Sequence, residues 1–227
     1  MQGKFIVLDG TDGSGKATQT RLLAERLTKE GCSVKVADFP QYGQWSAVFV
    51  EKYLRGEFGT SQQVKPKQAS LFYALDRYAA KEKIQKWLDE GNIVISNRYV
   101  SANKGHQLGK LQEKQEMKDF LDWINDLEYT ILQIPKPDLT IFLHMPANIS
   151  QQLVDKKGTR AYIGGKKRDI HEDDLLHLQN AERAYLFCLD HDFVEKWVKL
   201  ICFDHKKPKP IKEIHEEIYK LIKNGLL

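Results

Sequence analysis

Cysteine is scarce in this chain, and the placement of the few present excludes more than their number does. Cys32, Cys188 and Cys202 are three in 227 residues, far apart and without metal-ligand spacing. An odd, scattered set builds neither a disulfide framework nor a thiolate zinc site, so the three read as reduced, cytoplasmic thiols that serve packing. Long apolar runs are missing as well. None approaches the roughly 20 residues needed to cross a bilayer, so no membrane partner is expected. The first residues pass straight into a strand-like run, which leads us to expect no signal or transit segment. Internal repeats, low-complexity tracts and linker-like stretches are absent too, and one domain over residues 1–227 is the expectation. No sign of charge dominates: 35 Lys and Arg stand against 31 Asp and Glu, a formal +4. That balance suits an anionic small molecule as well as nucleic acid and selects neither. With 41% hydrophobic and 29% charged residues, the chain has the composition of an ordinary globular protein with an ample core.

What is present begins with Gly10-Thr11-Asp12-Gly13-Ser14-Gly15-Lys16, after the apolar run Phe5 to Asp9 and before the helix-like run Thr18 to Lys29. A strand, a Gly-x-x-x-x-Gly-Lys loop and a helix together make a phosphate cradle (P-loop, residues 10–18). The glycines let successive N–H groups turn inward around an anion, and the helix N-terminus adds partial positive charge. Lys16 reaches the terminal phosphates as a point charge. Ala17 departs from the pattern, because the standard motif has a magnesium-binding hydroxyl there. Thr18 lies about 100° further around the helix and does not simply replace it. Metal coordination is therefore expected to differ from that of a standard P-loop enzyme.

Continuous apolar runs recur with helical stretches between them, as expected for buried parallel strands in an α/β fold. The strands are predicted over Lys4 to Asp9, Ser33 to Asp38, Asn92 to Ser96, Asp138 to His144 and Val198 to Phe203. Helices are predicted over 16–30, 46–55, 67–90, 111–127, 147–156, 172–191 and 210–223. In the last, Ile211, Ile214, Ile218 and Leu221 form one apolar stripe to dock on the sheet. The basic, glycine-hinged stretch Lys156 to Asp169, with Arg160, Lys166, Lys167 and Arg168, suits a mobile lid over phosphates (about 155–170). His205 to Pro210 reads as a stiff connector.

The third predicted strand runs into Asn97-Arg98-Tyr99, where the usual second metal motif ends in an acid. Arg98 falls at the C-terminal edge of a strand beside the P-loop strand, where open α/β sheets bind ligands. Tyr73 and Arg77 share a helix face and suit a planar base. Periodicity alone leaves open a core tyrosine and an arginine paired to Asp76 or a neighbour.

These blocks, with Phe39-Pro40-Gln41-Tyr42-Gly43-Gln44, Tyr73 to Arg77, Asn97 to Asn103 and Asp169 to Glu172, resemble the thymidylate (dTMP) kinase family. The resemblance extends from the first strand to the helix after the lid. It implies a P-loop NTP hydrolase-type fold, a five-stranded parallel sheet flanked by helices with a lid insert. It also implies transfer of the ATP γ-phosphoryl group to dTMP with Mg2+, and a homodimer. On this resemblance ATP engages Gly10, Asp12, Gly13, Ser14, Gly15, Lys16, Ala17 and Thr18. Asp12 approaches the sugar 3′-hydroxyl or the acceptor phosphate with its metal, and Phe39 and Pro40 wall the nucleoside pocket. Tyr73 stacks on thymine, with Phe72 as the register alternative. Arg77 bonds a base carbonyl, Arg98 holds the acceptor phosphate, and Asn103 reads the base edge. Tyr42 stands where other members have an arginine phosphate contact.

Because Gly13 occupies the slot of a P-loop arginine in one branch, charge neutralisation falls to Arg160 and Arg168. His171 lies near a tyrosine of some members that excludes a 2′-hydroxyl. Asp9, Asp12, Asp169 and Glu172 are the acidic candidates for metal, directly or through water. Three readings stay beside this one: a kinase of the same fold for another nucleotide or a deoxynucleoside, a non-catalytic nucleotide binder supported by Ala17 and Asn97, and a nucleic-acid binder. The last ranks lowest, because the cations gather in one loop and do not interleave with aromatics along a face.

Overall fold

Phe5 and Val7 pack on one side of a sheet while Ile6 and Leu8 pack on the other, all of them fully buried. Strand side chains alternate faces, so a strand covered on both sides reads as an unbroken apolar run. The structure, a computed structural model, describes residues 3–155 and 175–226. The strands are β1 (Lys4–Asp9), β2 (Val34–Asp38), β3 (Ile93–Asn97), β4 (Leu139–His144) and β5 (Trp197–Ile201). They form one parallel five-stranded sheet in the order β2-β3-β1-β4-β5. The P-loop strand is thus central. Only β1, β3 and β4 are buried along their length; the edge strands β2 and β5 are half exposed, against the expectation of uniform burial.

The helices are α1 (Lys16–Lys29), α2 (Val48–Leu54), α3 (Pro66–Ala79), α4 (Lys81–Asp89), α5 (Val100–His106), α6 (Lys114–Asn125), α7 (Ala147–Asp155), α8 (Leu175–His191) and α9 (Ile211–Gly225). On one face of the sheet α5, α6 and α8 contribute Val100, Phe120, Ile124, Ala184 and Cys188 to the core. On the other, α1 and α9 contribute Leu23, Leu27, Ile214, Ile218 and Ile222. The buried row of α9 therefore runs at i, i+4 and i+8. Ile211, predicted to head the stripe, is 56% exposed.

The structure divides the helix predicted over 67–90 at Ala80, whose N–H turns back to the Arg77 carbonyl at 3.0 Å. Neither glycine nor proline marks the break. Elements with no counterpart in the sequence prediction include α5 and a π-helical turn at Asp126–Ile131 that carries Glu128. The predicted connector at 205–210 is part of a small hairpin pairing β6 (Phe203–Asp204) with β7 (Lys207–Pro208). In α5, Gly105 lies so close to α8 that a Cβ there would stand 2.2 Å from the Tyr185 ring. The predicted lid lies outside the described residues from Lys156 onward. No described helix is long and apolar enough to cross a membrane.

Candidate active site

The C-terminal ends of β1, β2 and β3 place Asp9, Asp38 and Asn97 on one edge of the sheet, where Asn97 pairs with Asp38 on one side and with Leu8, just before Asp9, on the other. The P-loop follows Asp9. Its Gly13 has φ +90° and lies so close to α7 that a Cβ would stand 2.3 Å from the Ser150 carbonyl oxygen. Only glycine tolerates both conditions. Thr11 Oγ1 lies 3.0 Å from Ser150 Oγ, which ties the loop to α7. Lys16 is buried and donates to the Gly10 and Thr11 carbonyls, both at 2.9 Å. Asp12 carries two cations, Lys16 at 3.8 Å and Arg98 in a close ion pair.

Arg98 itself adopts φ +64°, a left-handed conformation uncommon outside glycine. Its N–H donates to the Leu8 carbonyl at 3.0 Å and its carbonyl accepts from Ser96 Oγ at 2.6 Å. Burial opposes its charge, but Asp12 and Asp9 outweigh that and hold it well above the usual arginine value. Such a residue stays cationic at any working pH. Arg98 Nη1 lies 3.0 Å from His106 Nε2. An arginine only donates, so that nitrogen must accept. Burial, and then the neighbouring Arg98, hold His106 well below the usual histidine range. The ring is therefore neutral with its proton on Nδ1, which faces His177 Nε2 at 3.1 Å.

Two cavities meet at this point. One is lined by the P-loop with Ala17, Thr18, Asp38, Asn97 and Met145. The other is lined by Tyr73, Arg77, Tyr99, Asn103, His106 and Gln107. Asp12, Phe39, Pro40, Tyr42 and Arg98 line both. The Phe39–Pro40 bond is cis, and Asp76 pins the loop beyond it by accepting from the Gln41 N–H at 2.8 Å and from Ser46 Oγ at 2.6 Å.

The structure thus brings together Asp12, Phe39, Pro40, Tyr42, Tyr73, Arg77, Arg98 and Asn103 with the P-loop. Two expectations need correction. Phe72 stacks on Phe49 at 5.8 Å and is not part of the cavity wall, so Tyr73 is the aromatic that faces it. Asp9, expected as a metal ligand, is fully buried. Its Oδ1 accepts from Gly10 N at 2.7 Å and Tyr185 Oη at 2.9 Å, while its Oδ2 accepts from Ser101 Oγ. It anchors the loop from beneath.

Arg77 reaches the cavity, yet its Nε and Nη2 are committed to Glu128 in a buried ion pair, and its Nη1 donates to the Tyr99 carbonyl at 3.3 Å. Its partner is neither Asp76 nor an adjacent residue. Asn103 donates to the Ser70 carbonyl at 3.2 Å. Asn97 Nδ2 donates to Asp38 at 2.8 Å, while Asn97 Oδ1 is buried without a hydrogen-bond partner. Arg160, Lys166, Lys167, Arg168, Asp169, His171 and Glu172 lie outside the described residues. No group of three or more metal-ligating side chains occurs among the described residues.

Sequence reasoning missed Asp38 and His106. Asp38 was legible as an acid at a strand end just before Phe39-Pro40, on the ligand-binding edge. His106 lies three residues after Asn103 and so on its face, a signal hidden because α5 was not predicted.

Comparison with known proteins follows the same lines. The model of the thymidylate kinase family matches residues 8–192. The probable thymidylate kinase of Pyrococcus abyssi is 28% identical over 228 residues, covering 100% of this chain and 99% of that protein. The thymidylate kinase of Mycobacterium tuberculosis (strain H37Rv) is 30% identical over 195 residues, covering 86% and 89% respectively. The structure of thymidylate kinase from Candida albicans superposes with a TM-score of 0.72 over 99% of this chain and 92% of that one. At 20% identity, that likeness speaks to the fold alone.

Proposed function

The chain belongs to the thymidylate kinase family, and from that premise we propose that it transfers the γ-phosphoryl group of ATP to dTMP, giving dTDP and ADP. The observation that carries this reading is the shared wall: a phosphate cradle and an aromatic-lined cavity meet at Asp12 and Arg98. A donor phosphate chain in the first and a nucleoside monophosphate in the second bring their reacting oxygens to one point. The acceptor phosphate oxygen attacks the γ-phosphorus as the bond to the bridging oxygen breaks, and ADP leaves with that electron pair. An anionic phosphate needs no general base, so positioning and charge neutralisation are the main tasks.

In this reading Lys16 and the loop N–H groups hold the donor phosphates. Arg98, aimed by Asp12 and His106, binds the acceptor phosphate at the junction. Tyr73 gives the base a stacking face, Phe39 and Pro40 wall the nucleoside, and Arg77 and Asn103 offer donors to its edge. Tyr42 lines both cavities, a position suited to a phosphate. Arg160 and Arg168 are assigned the remaining charge, and His171 a place near the sugar, on the sequence pattern alone.

Mg2+ is the divalent cation of this reading, and it would supply positive charge to the donor phosphate oxygens. Asp12 stands on that side of the junction, while the partnerless Asn97 Oδ1 suits a donor such as a cation-bound water. The activity is placed in the cytoplasm, in keeping with three free cysteines. The working unit is a homodimer, a proposal supported by Leu71, Leu75 and Tyr78, exposed at helical spacing on α3 beside Val48 and Phe49 of α2. Incubation with dTMP and ATP labelled in its γ-phosphate tests the reaction. The label is expected in dTDP, and its release only as free phosphate overturns the reading.

A further inference from the structure

We propose that Asp38, at the end of β2, supplies the carboxylate for the divalent cation that accompanies the donor phosphates, in place of the acid that β3 lacks. The proposal rests on the reading of the P-loop cavity as the donor site. P-loop enzymes share that cation between a hydroxyl after the loop lysine and an acid at a neighbouring strand end. Here both positions are unsuited, being Ala17 and Asn97. Asp38 is the Cα partner of Asn97 in the sheet, lines the P-loop cavity with it, and accepts from its Nδ2 at 2.8 Å. The carboxylate has in effect moved one strand over.

Competition among the nearby acids singles out Asp38. Asp9 is enclosed and accepts three hydrogen bonds from the protein. Asp12 is engaged by Lys16 and Arg98. Asp38 faces the same cavity, yet among the described residues no lysine or arginine makes an ion pair with it. Asp38 is exposed at the strand end, so a cation entering the P-loop cavity can reach its carboxylate. The hydrogen bond that Asn97 gives to Asp38 fixes the amide, leaving Asn97 Oδ1 as the orphaned acceptor. A cation carrying waters satisfies both groups at once, since Mg2+ retains several of its waters.

The test compares Asp38→Asn, Asn97→Asp and the double variant, which moves the carboxylate back to β3. Mn2+ binding is read by electron paramagnetic resonance in the presence of ADP, and ADP affinity is measured in EDTA by calorimetry. Asp38→Asn is expected to weaken Mn2+ binding about 10- to 100-fold, the range seen when groups supporting a metal are removed. ADP affinity in EDTA stays unchanged, and the double variant recovers most of the Mn2+ affinity. Unaltered Mn2+ affinity in Asp38→Asn overturns the assignment, as does an equal loss of ADP binding in EDTA. An unsubstituted chain that binds no adenine nucleotide in EDTA overturns the donor-site reading itself.

Discussion

Arg98 occupies a backbone region that costs an ordinary residue about 1–3 kcal/mol. Its φ of +64° persists because Leu8 and Ser96 bind its peptide groups on both sides. That strain aims the guanidinium at the junction, where Asp12 and His106 fix it further. Arg98→Ala is expected to lower dTMP turnover roughly 100- to 1,000-fold, comparable to removing one preorganised donor. Calorimetric ATP affinity should stay close to that of the unsubstituted enzyme, and undiminished turnover would contradict the assignment.

His106 carries a second prediction. Its native pKa lies below the unfolded value of about 6.5, so between the two the unfolded chain binds more protons. Stability is therefore present above about pH 6.5 and lost as pH falls through the window below it. Burial is the main cause, and among the groups facing the ring Arg98, His177 and Lys16 also disfavour its protonation while Asp12 opposes them. Urea denaturation between pH 7.5 and 5 should show a shallower loss in His106→Gln than in the unsubstituted chain. An identical slope would mean that the ring already titrates as an exposed histidine.

The elements differ in how far the sequence announces them. β1, β3, β4, α1 and the P-loop were legible, because apolar runs and glycine spacing are local signals. The α3/α4 break at Ala80 was not, since it is set by packing rather than by a breaker residue. Helix α5 was hidden behind Asn103, Lys104 and Gly105, a polar and glycine-containing run that gives no amphipathic stripe. Its Lys104 is nonetheless fully buried, held by Asp192 and Glu195 from the segment after α8. Most of the site was readable from the P-loop and from Asn97-Arg98. The partners that hold it were not: Glu128 and His106 come from elements whose proximity only the fold creates, whereas Asp38 already stood at a predicted strand end.

The Arg77–Glu128 pair shows what such a hidden contact is worth. Glu128 is fully buried in the π-helical turn and Arg77 is 2% exposed. Glu128→Gln leaves a buried guanidinium without its counter-charge and is expected to cost about 3–5 kcal/mol. Equilibrium denaturation measures this, and a loss within the noise would mean that the pair is not formed.

At the scale of the molecule, the sheet carries one reactive edge and α2 with α3 carry an apolar face. Leu75 is 51% exposed at the centre of the α3 stripe. A charge there should block the proposed self-association: Leu75→Glu is expected to convert a dimer to a monomer in size-exclusion chromatography with light scattering. Monomeric behaviour of the unsubstituted chain would remove the dimer from the account.

The central claim concerns the two cavities joined at Asp12 and Arg98. A coupled ADP-release assay with ATP, Mg2+ and a panel of dTMP, dUMP, UMP and thymidine addresses it most directly. The account predicts turnover with dTMP well above the other three, with thymidine failing because it brings no phosphate to Arg98. ATP binding with no turnover of any acceptor would contradict it, and would identify Ala17 and Asn97 as marks of a protein that holds nucleotide without transferring its phosphate.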